Sequence, residues 1–270
     1  VKKISILIPC YNEEEGIRRV IQAFPKSQLQ AYGYEVVVVV IDNNSKDKTG
    51  AVARRAGARV IFEGKQGKGN AIRTGMAMVD ADTDYVVMLD GDDTYRPEEV
   101  MRLVEPLNSG FCDVVIGSRL GGRIPEGAMT GFNLMGNWIF SHLVRYSYRV
   151  NVTDVLTGYF AWNKSVVDEL WPLLVSDGFA IEMEMITKMA RLGHEIYSVP
   201  ISYNPRAGES SLRPIYDGWR ILRMFMRNFA WKPTIEAEEA ELDYVGETSP
   251  RYRRYVTTFG ERIGMRGDKS

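Results

Sequence analysis

Residues Glu35 to Ile41, with an unbroken valine run from Val36 to Val40, constrain the fold more than any other stretch. A β-branched run without polar alternation suits a strand covered on both faces, as in a parallel sheet sandwiched between helices. Shorter apolar runs repeat the theme at Ile4-Ser5-Ile6-Leu7-Ile8-Pro9, Arg59–Phe62, Tyr85–Leu89 and Asp113–Gly117. Helical spacing falls between them, over residues 13–24, 47–56, 69–80 and 97–109, with Ile17, Val20, Ile21 and Phe24 on one face of the first. This alternation predicts an open α/β sheet, mostly parallel and Rossmann-like, with flanking helices.

The character changes near residue 120. Gly121-Gly122, Pro125 and Gly127 read as a loop. An aromatic-rich helix is expected over 133–148, a strand over 159–162, a helix over 180–192, a strand over 196–203 and a last helix over 214–231. We therefore divide the chain into residues 1–120, an acceptor-side half at 121–213, an amphipathic helix at 214–232 and a polar tail at 233–270. The tail carries the acidic run Glu236-Ala237-Glu238-Glu239-Ala240-Glu241.

Bulk properties exclude several classes. A chain of 270 residues has ample length for a core. A net charge of −1 gives no basic field for nucleic acid, which we do not expect as a partner. No apolar run reaches the length that spans a bilayer. The chain opens directly into a strand, so no signal peptide is expected and a cytoplasmic location is. Cys10 and Cys112 lack disulfide or metal spacing and read as small buried residues.

The chemistry concentrates where strands end. Ligands of open α/β sheets bind at the carboxyl ends of the strands. Tyr11-Asn12-Glu13, Asp42-Asn43-Asn44-Ser45 and Asp90-Gly91-Asp92 all fall there. Asp90 and Asp92 are an i, i+2 pair, which a strand would point to the same side. Gly91 leaves room for a ligand to approach the backbone between them. Hard carboxylate oxygens suit Mg²⁺ or Mn²⁺, and such a metal suits a diphosphate. An acidic turn that merely ends a strand is the competing reading.

The ordered set of motifs resembles the family-two glycosyltransferases of GT-A fold. It comprises strand-Pro9-Cys10-Tyr11-Asn12-Glu13, strand-Asp42-Asn43-Asn44-Ser45, Gly67-Lys68-Gly69-Asn70, Asp90-Gly91-Asp92 and Gly117-Ser118-Arg119. Within that family, Asp154–Tyr159, Gly178-Phe179 leading to Glu182 and Glu184, Pro200–Tyr203 and Arg206–Ser210 are similar to the polyprenyl-phosphate sugar synthases. The resemblance implies an inverting, metal-dependent hexose transfer from a nucleotide sugar to a polyprenyl phosphate such as dolichyl phosphate. It implies Pro9, Tyr11, Glu13, Asp42 and Asn43 around the nucleoside, with Lys68 near phosphate. Asp90 would hold sugar or ribose hydroxyls and share the metal with Asp92. Arg119 and Arg206 would stabilise the leaving charge, and Asp154 would be a catalytic carboxylate. Asn137, Glu182, Ser210 and Arg213 would serve the acceptor. For Glu13, a carboxylate favoured by a helix N-terminus is an equally available reading. Lys68 is otherwise a solvated loop lysine.

Three departures from the family pattern bear on the substrates. Asn43 stands where many relatives have aspartate. Asn133 and Asn137 occupy the place of an arginine and its partner four residues on. Ser211 stands where a lysine is usual. The first bears on which base is bound, whereas the two lost acceptor-side cations favour the alternative of a soluble transferase with a hydroxyl acceptor, for which Asp154 or Glu182 could act as base. A binding scaffold without turnover fits poorly with the intact Asp90/Asp92 pair. Ile215, Trp219, Leu222, Met226 and Phe229 form one apolar helix face beside Arg220, Arg223 and Arg227. That face either packs on the core or lies in a membrane interface. Leu134, Trp138, Ile139, Leu143 and Tyr146 pose the same alternative, and a lipid acceptor would place the protein peripherally at the cytoplasmic membrane face.

Overall fold

The computed structural model describes residues 1–206 and 213–233. A seven-stranded sheet runs in the order β3-β2-β1-β4-β6-β5-β7. Its strands are β1 (Lys2–Cys10), β2 (Tyr34–Asp42), β3 (Arg59–Phe62), β4 (Tyr85–Met88), β5 (Val114–Arg123), β6 (Phe160–Asn163) and β7 (Ile196–Ser202). Neighbours pair in parallel except at β6, which runs antiparallel to both β4 and β5. The result is a single α/β domain with a mostly parallel, mixed sheet, as the valine run demands.

Alternation along the strands builds a core on each face. Ile4, Ile6, Ile8, Val38, Val40, Val87 and Leu89 join one cluster. Helices α1 (Ile17–Ala23), α2 (Lys26–Ala31), α3 (Thr49–Arg55) and α5 (Val100–Asn108) lie among the elements of that side. Leu7, Val39, Ile41, Val86 and Met88 point the other way. They meet α4 (Lys68–Ala77), α6 (Gly131–Tyr148), α7 (Lys164–Leu170), α8 (Ile181–Leu192) and α9 (Pro214–Ala230). Cys10 and Cys112 are both free and buried.

Several boundaries differ from the sequence reading, for physical reasons. Helices α2 and α7 were not expected. The first buries only Leu29, so it has no apolar stripe, and α7 follows β6 without a break. Gly121-Gly122, read as a loop, belongs to β5. A Cβ on Gly122 would sit 1.9 Å from the carbonyl oxygen of Ile201. Gly122 therefore lets β7 approach, and no turn is made there. Strand β4 ends at Met88, so Asp90 and Asp92 lie in the loop beyond it and strand alternation does not orient them. Gly91 is required by packing from below, because a Cβ there would come within 2.4 Å of the Cys10 Sγ.

Among the described residues, no helix is long and apolar enough to cross a membrane. Most of each amphipathic face stays outside the core. On α9 the buried face is Asp217, Ile221, Phe225 and Asn228, whereas Ile215, Trp219, Met226 and Phe229 are exposed and Leu222 is half-buried. On α6 the buried face is Asn137, Ser141, Val144 and Tyr148. Leu134, Trp138, Ile139 and Tyr146 are exposed, while Leu143 packs against the core.

Candidate active site

Two cavities meet at the carboxyl ends of β1 and β4. The first, of about 530 Å³, is lined by Pro9, Tyr11, Glu13, Asn43, the 66–68 loop, Asp90 to Asp92, Phe179, Arg206, Arg213 and the start of α9. The second, of about 600 Å³, lies between α6 and α9, with Tyr95, Arg119, Asn137, Glu182 and Tyr203 among its polar residues. Its apolar lining includes Met129, Phe132, Met135, Ile139, Phe140, Ile215 and Ile221. Lys68, Asp90, Asp92, Phe179 and Arg206 line both.

That shared floor is a chain of alternating charge. Lys68 Nζ lies 2.9 Å from Asp90 Oδ1 and 2.7 Å from Glu182 Oε1. Burial alone would depress the lysine, but the Asp90 and Glu182 carboxylates outweigh it and hold its pKa above the usual value. Arg206 bridges the other side, with Nη2 2.7 Å from Glu13 Oε1 and Nη1 3.3 Å from Asp92 Oδ2. Asp92 Oδ1 accepts from the Thr94 hydroxyl at 2.6 Å and from its backbone N–H at 3.2 Å. Burial and the neighbouring Asp90 push the Asp92 carboxyl upward, against Arg206 and Thr94. Burial likewise lifts Glu13 to about 7, in spite of Arg206. Asp93 stays outside and pairs with Arg19 at 2.6 Å.

The Lys68 loop is held from two directions. Gly67 adopts φ +133°, open to glycine, and a Cβ there would strike the Asp177 carbonyl at 2.1 Å. That carbonyl accepts from the backbone N–H groups of Gly69 at 3.0 Å and Asn70 at 3.4 Å. The Gly69 and Asn70 amides near the start of α4 are therefore occupied, while the Lys68 side chain reaches Asp90 and Glu182. From the other side, Asn43 accepts from Gly67 N–H at 2.7 Å and donates to the Lys65 carbonyl at 2.8 Å. Asn43 lines the cavity, yet both ends of its amide are spent on the loop. The departure from aspartate at this position thus builds a loop anchor.

The wall of the second cavity is locked. Asp154 is fully buried and accepts from Arg119 Nε, Nη2 and backbone N–H, each at 2.8 Å. Asn137 Nδ2 donates to the same carboxylate at 2.7 Å, and its Oδ1 accepts from Leu156 N–H at 3.2 Å. Burial opposes the charge on Asp154, but Arg119 and Asn137 more than offset it and hold the carboxyl below its usual range. Asp154, expected as a catalytic carboxylate, lines neither cavity and stands behind Arg119. It has no free oxygen with which to act as a base. Asn137, expected at the acceptor, reaches the cavity wall with its amide committed to the same lock.

Pro9, Tyr11 and Arg213 line the first cavity. Asp42 lies at the end of β2, half-buried, with Oδ1 accepting from Ser45 N–H at 3.0 Å, and is not among the lining residues. Ser210 lies outside the described residues, as does nearly all of the expected tail at 233–270. The sequence reading did not single out Tyr95, Tyr203 or Tyr216. Tyr95 is buried beneath the shared floor, and its hydroxyl accepts from Gly158 N–H at 2.6 Å. Tyr203 stacks beneath the Arg119 guanidinium, 5.2 Å from its ring centroid. Tyr95 directly follows the acidic motif, which is the one signal that could have marked it.

The model of the family described as glycosyl transferase family 2 matches residues 5–171, a segment spanning β1 to the start of the 171–173 turn. The chain belongs to this family. It is a glycosyltransferase of GT-A fold. Glycosyltransferase AglJ of Haloferax volcanii is 38% identical over 218 residues, covering 80% of this chain and 68% of the relative. A dolichyl-phosphate hexose transferase of the same organism is 33% identical, covering 80% of this chain and 89% of its own length. Among solved structures, glucosyl-3-phosphoglycerate synthase from Mycobacterium tuberculosis, in complex with Mn²⁺, UDP-glucose and glycerol 3-phosphate, aligns with a TM-score of 0.66. It is 23% identical, and the match covers 86% of this chain and 82% of that one.

In this family-two glycosyltransferase the donor set at the floor fits a divalent cation. Asp90 and Asp92 present hard oxygens, and among the described residues no cluster of three or more histidine, cysteine or acidic groups could enclose a metal alone. Mg²⁺ is commonly held in this incomplete way, by one or two carboxylates with substrate phosphates and water completing the shell.

Proposed function

We propose that this glycosyltransferase moves a hexose from a nucleoside-diphosphate sugar to a polyprenyl phosphate, with inversion, using Mg²⁺ or Mn²⁺. The observation that carries the reading is the second cavity. Its walls are apolar side chains of α6 and α9, and its inner end is the Lys68–Asp90–Asp92–Arg206 floor. A lipid with a charged head has this division of chemistry. A relative named dolichyl-phosphate hexose transferase supports the same acceptor. Neighbours solved with Mn²⁺ and UDP-glucose support the donor and metal classes.

On this reading residues 1–120 bind the donor, 121–213 serve the acceptor and α9 completes both sites. The nucleoside lies against Pro9, Tyr11 and Glu13, and Arg213 and Arg220 face the same cavity. Lys68 and Arg206 exchange carboxylate partners for diphosphate oxygens as the donor enters. Asp90 orients the sugar, and Asp92, held by Thr94, supplies the main metal ligand. A bound divalent cation would neutralise charge on the departing diphosphate. An acceptor phosphate oxygen attacks the anomeric carbon, the bond to the diphosphate oxygen breaks, and the electron pair leaves with the nucleoside diphosphate. A phosphate monoester has a second pKa of about 6, so it arrives ionised and needs no general base. Arg119 lines the acceptor cavity and contributes cationic positioning there, with Asp154 and Asn137 as its support. Ile215, Trp219, Met226 and Phe229, with the exposed face of α6, would meet the membrane that carries such a lipid.

The test is transfer of labelled hexose from a panel of nucleotide sugars to a short-chain polyprenyl phosphate. Metal-dependent label in the organic phase is expected. Label confined to a water-soluble product would move the acceptor to a soluble hydroxyl compound.

A further inference from the structure

Helix α9 has a third surface, which meets the donor cavity only at Arg220. Its core face is Asp217, Ile221, Phe225 and Asn228, and Pro214, Ile215 and Gly218 turn toward the acceptor cavity. Arg220, Arg223 and Arg227 follow one another at i, i+3 and i+7, so they share the opposite flank. They border a separate groove of about 460 Å³, closed on its far side by Val175, Ser176, Asp177 and Ala180.

The charges of this groove do not balance. Arg220 pairs with Asp177. Among the described residues, Arg223 and Arg227 have no ion pair, although like charges at i, i+4 repel. Ser176 is 6% exposed, and its buried Oγ has no hydrogen-bond partner. A buried hydroxyl without a partner costs free energy unless a ligand satisfies it. Guanidinium groups match phosphate oxygens with paired N–H donors, and a serine hydroxyl adds one more donor.

We propose that the groove formed by Ser176, Arg220, Arg223 and Arg227 binds a phosphate group, distinct from those of donor and acceptor. Two sources share this chemistry, the headgroup of an anionic phospholipid and free phosphate. The exposed stripe of Ile215, Trp219, Met226 and Phe229 lies next to the arginine row on the same helix, which favours the headgroup. The site does not depend on the assigned acceptor, because Arg223 and Arg227 line neither substrate cavity.

The experiment uses the full chain and two probes. Inorganic phosphate is titrated by calorimetry, and co-sedimentation is measured with phosphatidylcholine vesicles with and without phosphatidylglycerol. The double variant Arg223→Gln/Arg227→Gln should bind the responsive probe about tenfold or more weakly. Ser176→Ala should weaken it several-fold with no change of charge. Arg54→Gln/Arg55→Gln, a charge-matched pair exposed on α3, should bind as wild type does. Hexose transfer to a short-chain acceptor in detergent should be unaffected by the α9 double variant. Binding of anionic vesicles, displaced by inorganic phosphate, assigns the groove to a headgroup. Binding of phosphate with indifference to vesicles assigns it to a free anion. Wild-type binding by the α9 double variant in both arms, or an equal loss in the α3 pair, overturns the site.

Discussion

The two cavities share a floor and differ in how their charges are held. In the cavity proposed for the donor, Lys68, Arg206, Glu13, Asp90 and Asp92 pair with one another across open space, and the proposed mechanism has these pairs exchange for ligand. On the acceptor side, Arg119 is fastened to Asp154 by three hydrogen bonds, with Asn137 behind them. On this proposal one arrangement exchanges partners and the other fixes a wall. Substitutions on the donor side should therefore change catalysis with little loss of stability, and those in the lock should do the reverse.

The largest expected effect tests the exchanging side. Asp92→Asn keeps size and the Thr94 contact but removes the charge that would hold the cation. Transfer should fall by about three orders of magnitude or more, on the scale of losing a principal electrostatic group. Thermal stability should stay near wild type, since Asp92 is pushed upward by burial and its charge is costly in the folded state. Metal-dependent turnover within tenfold of wild type would take Asp92 out of the mechanism.

Next comes the lock. Asp154→Asn leaves Arg119 buried without its counter-charge, and breaking such a pair costs about 3–5 kcal/mol. The melting temperature should drop well below that of Asp92→Asn. A variant that melts like wild type yet has lost all transfer would mean that Asp154 touches the reaction, and the contrast between the cavities would fail.

Legibility in the sequence follows the same division. The valine run and its companions required a parallel sheet, and the carboxyl ends of β1, β2 and β4 are where the sequence motifs lie. Several residues that line the first cavity sit at those ends in short, contiguous words such as Asp90-Gly91-Asp92, which a sequence displays directly. The acceptor wall is assembled from β5, α6 and the 154–157 segment, and nothing in one dimension shows that Asp154 spends every oxygen on Arg119. Asn43 illustrates the limit within a motif. It lines the first cavity, but its partners lie in the 63–67 loop and take up both ends of its amide. Exposure was also beyond reach, because the stripe of α9 has the periodicity of a core face and only the structure shows Asp217, Ile221 and Phe225 taking that place.

A smaller effect separates binding from chemistry on the donor side. Lys68→Met removes the cation between Asp90 and Glu182 and the group expected to meet the diphosphate. The donor KM should rise about 10- to 100-fold, equivalent to about 1.4–2.8 kcal/mol. Turnover at saturating donor should fall far less than in Asp92→Asn. Steady-state kinetics on the two variants gives the answer, and a kcat loss equal to that of Asp92→Asn would place Lys68 at the reacting centre.

The smallest effect concerns Glu13, a carboxylate that burial lifts to a folded-state pKa of about 7. Its unfolded value is near 4.3, so between those limits the folded chain binds more protons than the unfolded one. Stability from this group therefore increases as pH falls from 7 toward 4.3, and the cost of its buried charge is fully present above pH 7. In metal-free protein without nucleotide, the stability of wild type relative to Glu13→Gln should improve as pH is lowered from 8 to 5. The gain should be about 1 kcal/mol per pH unit within the titrating range. Chemical denaturation of both proteins across that range measures the difference directly. A difference that stays flat with pH would mean that Arg206 keeps Glu13 ionised in the folded state, and that this pair is locked in the manner of Arg119 and Asp154.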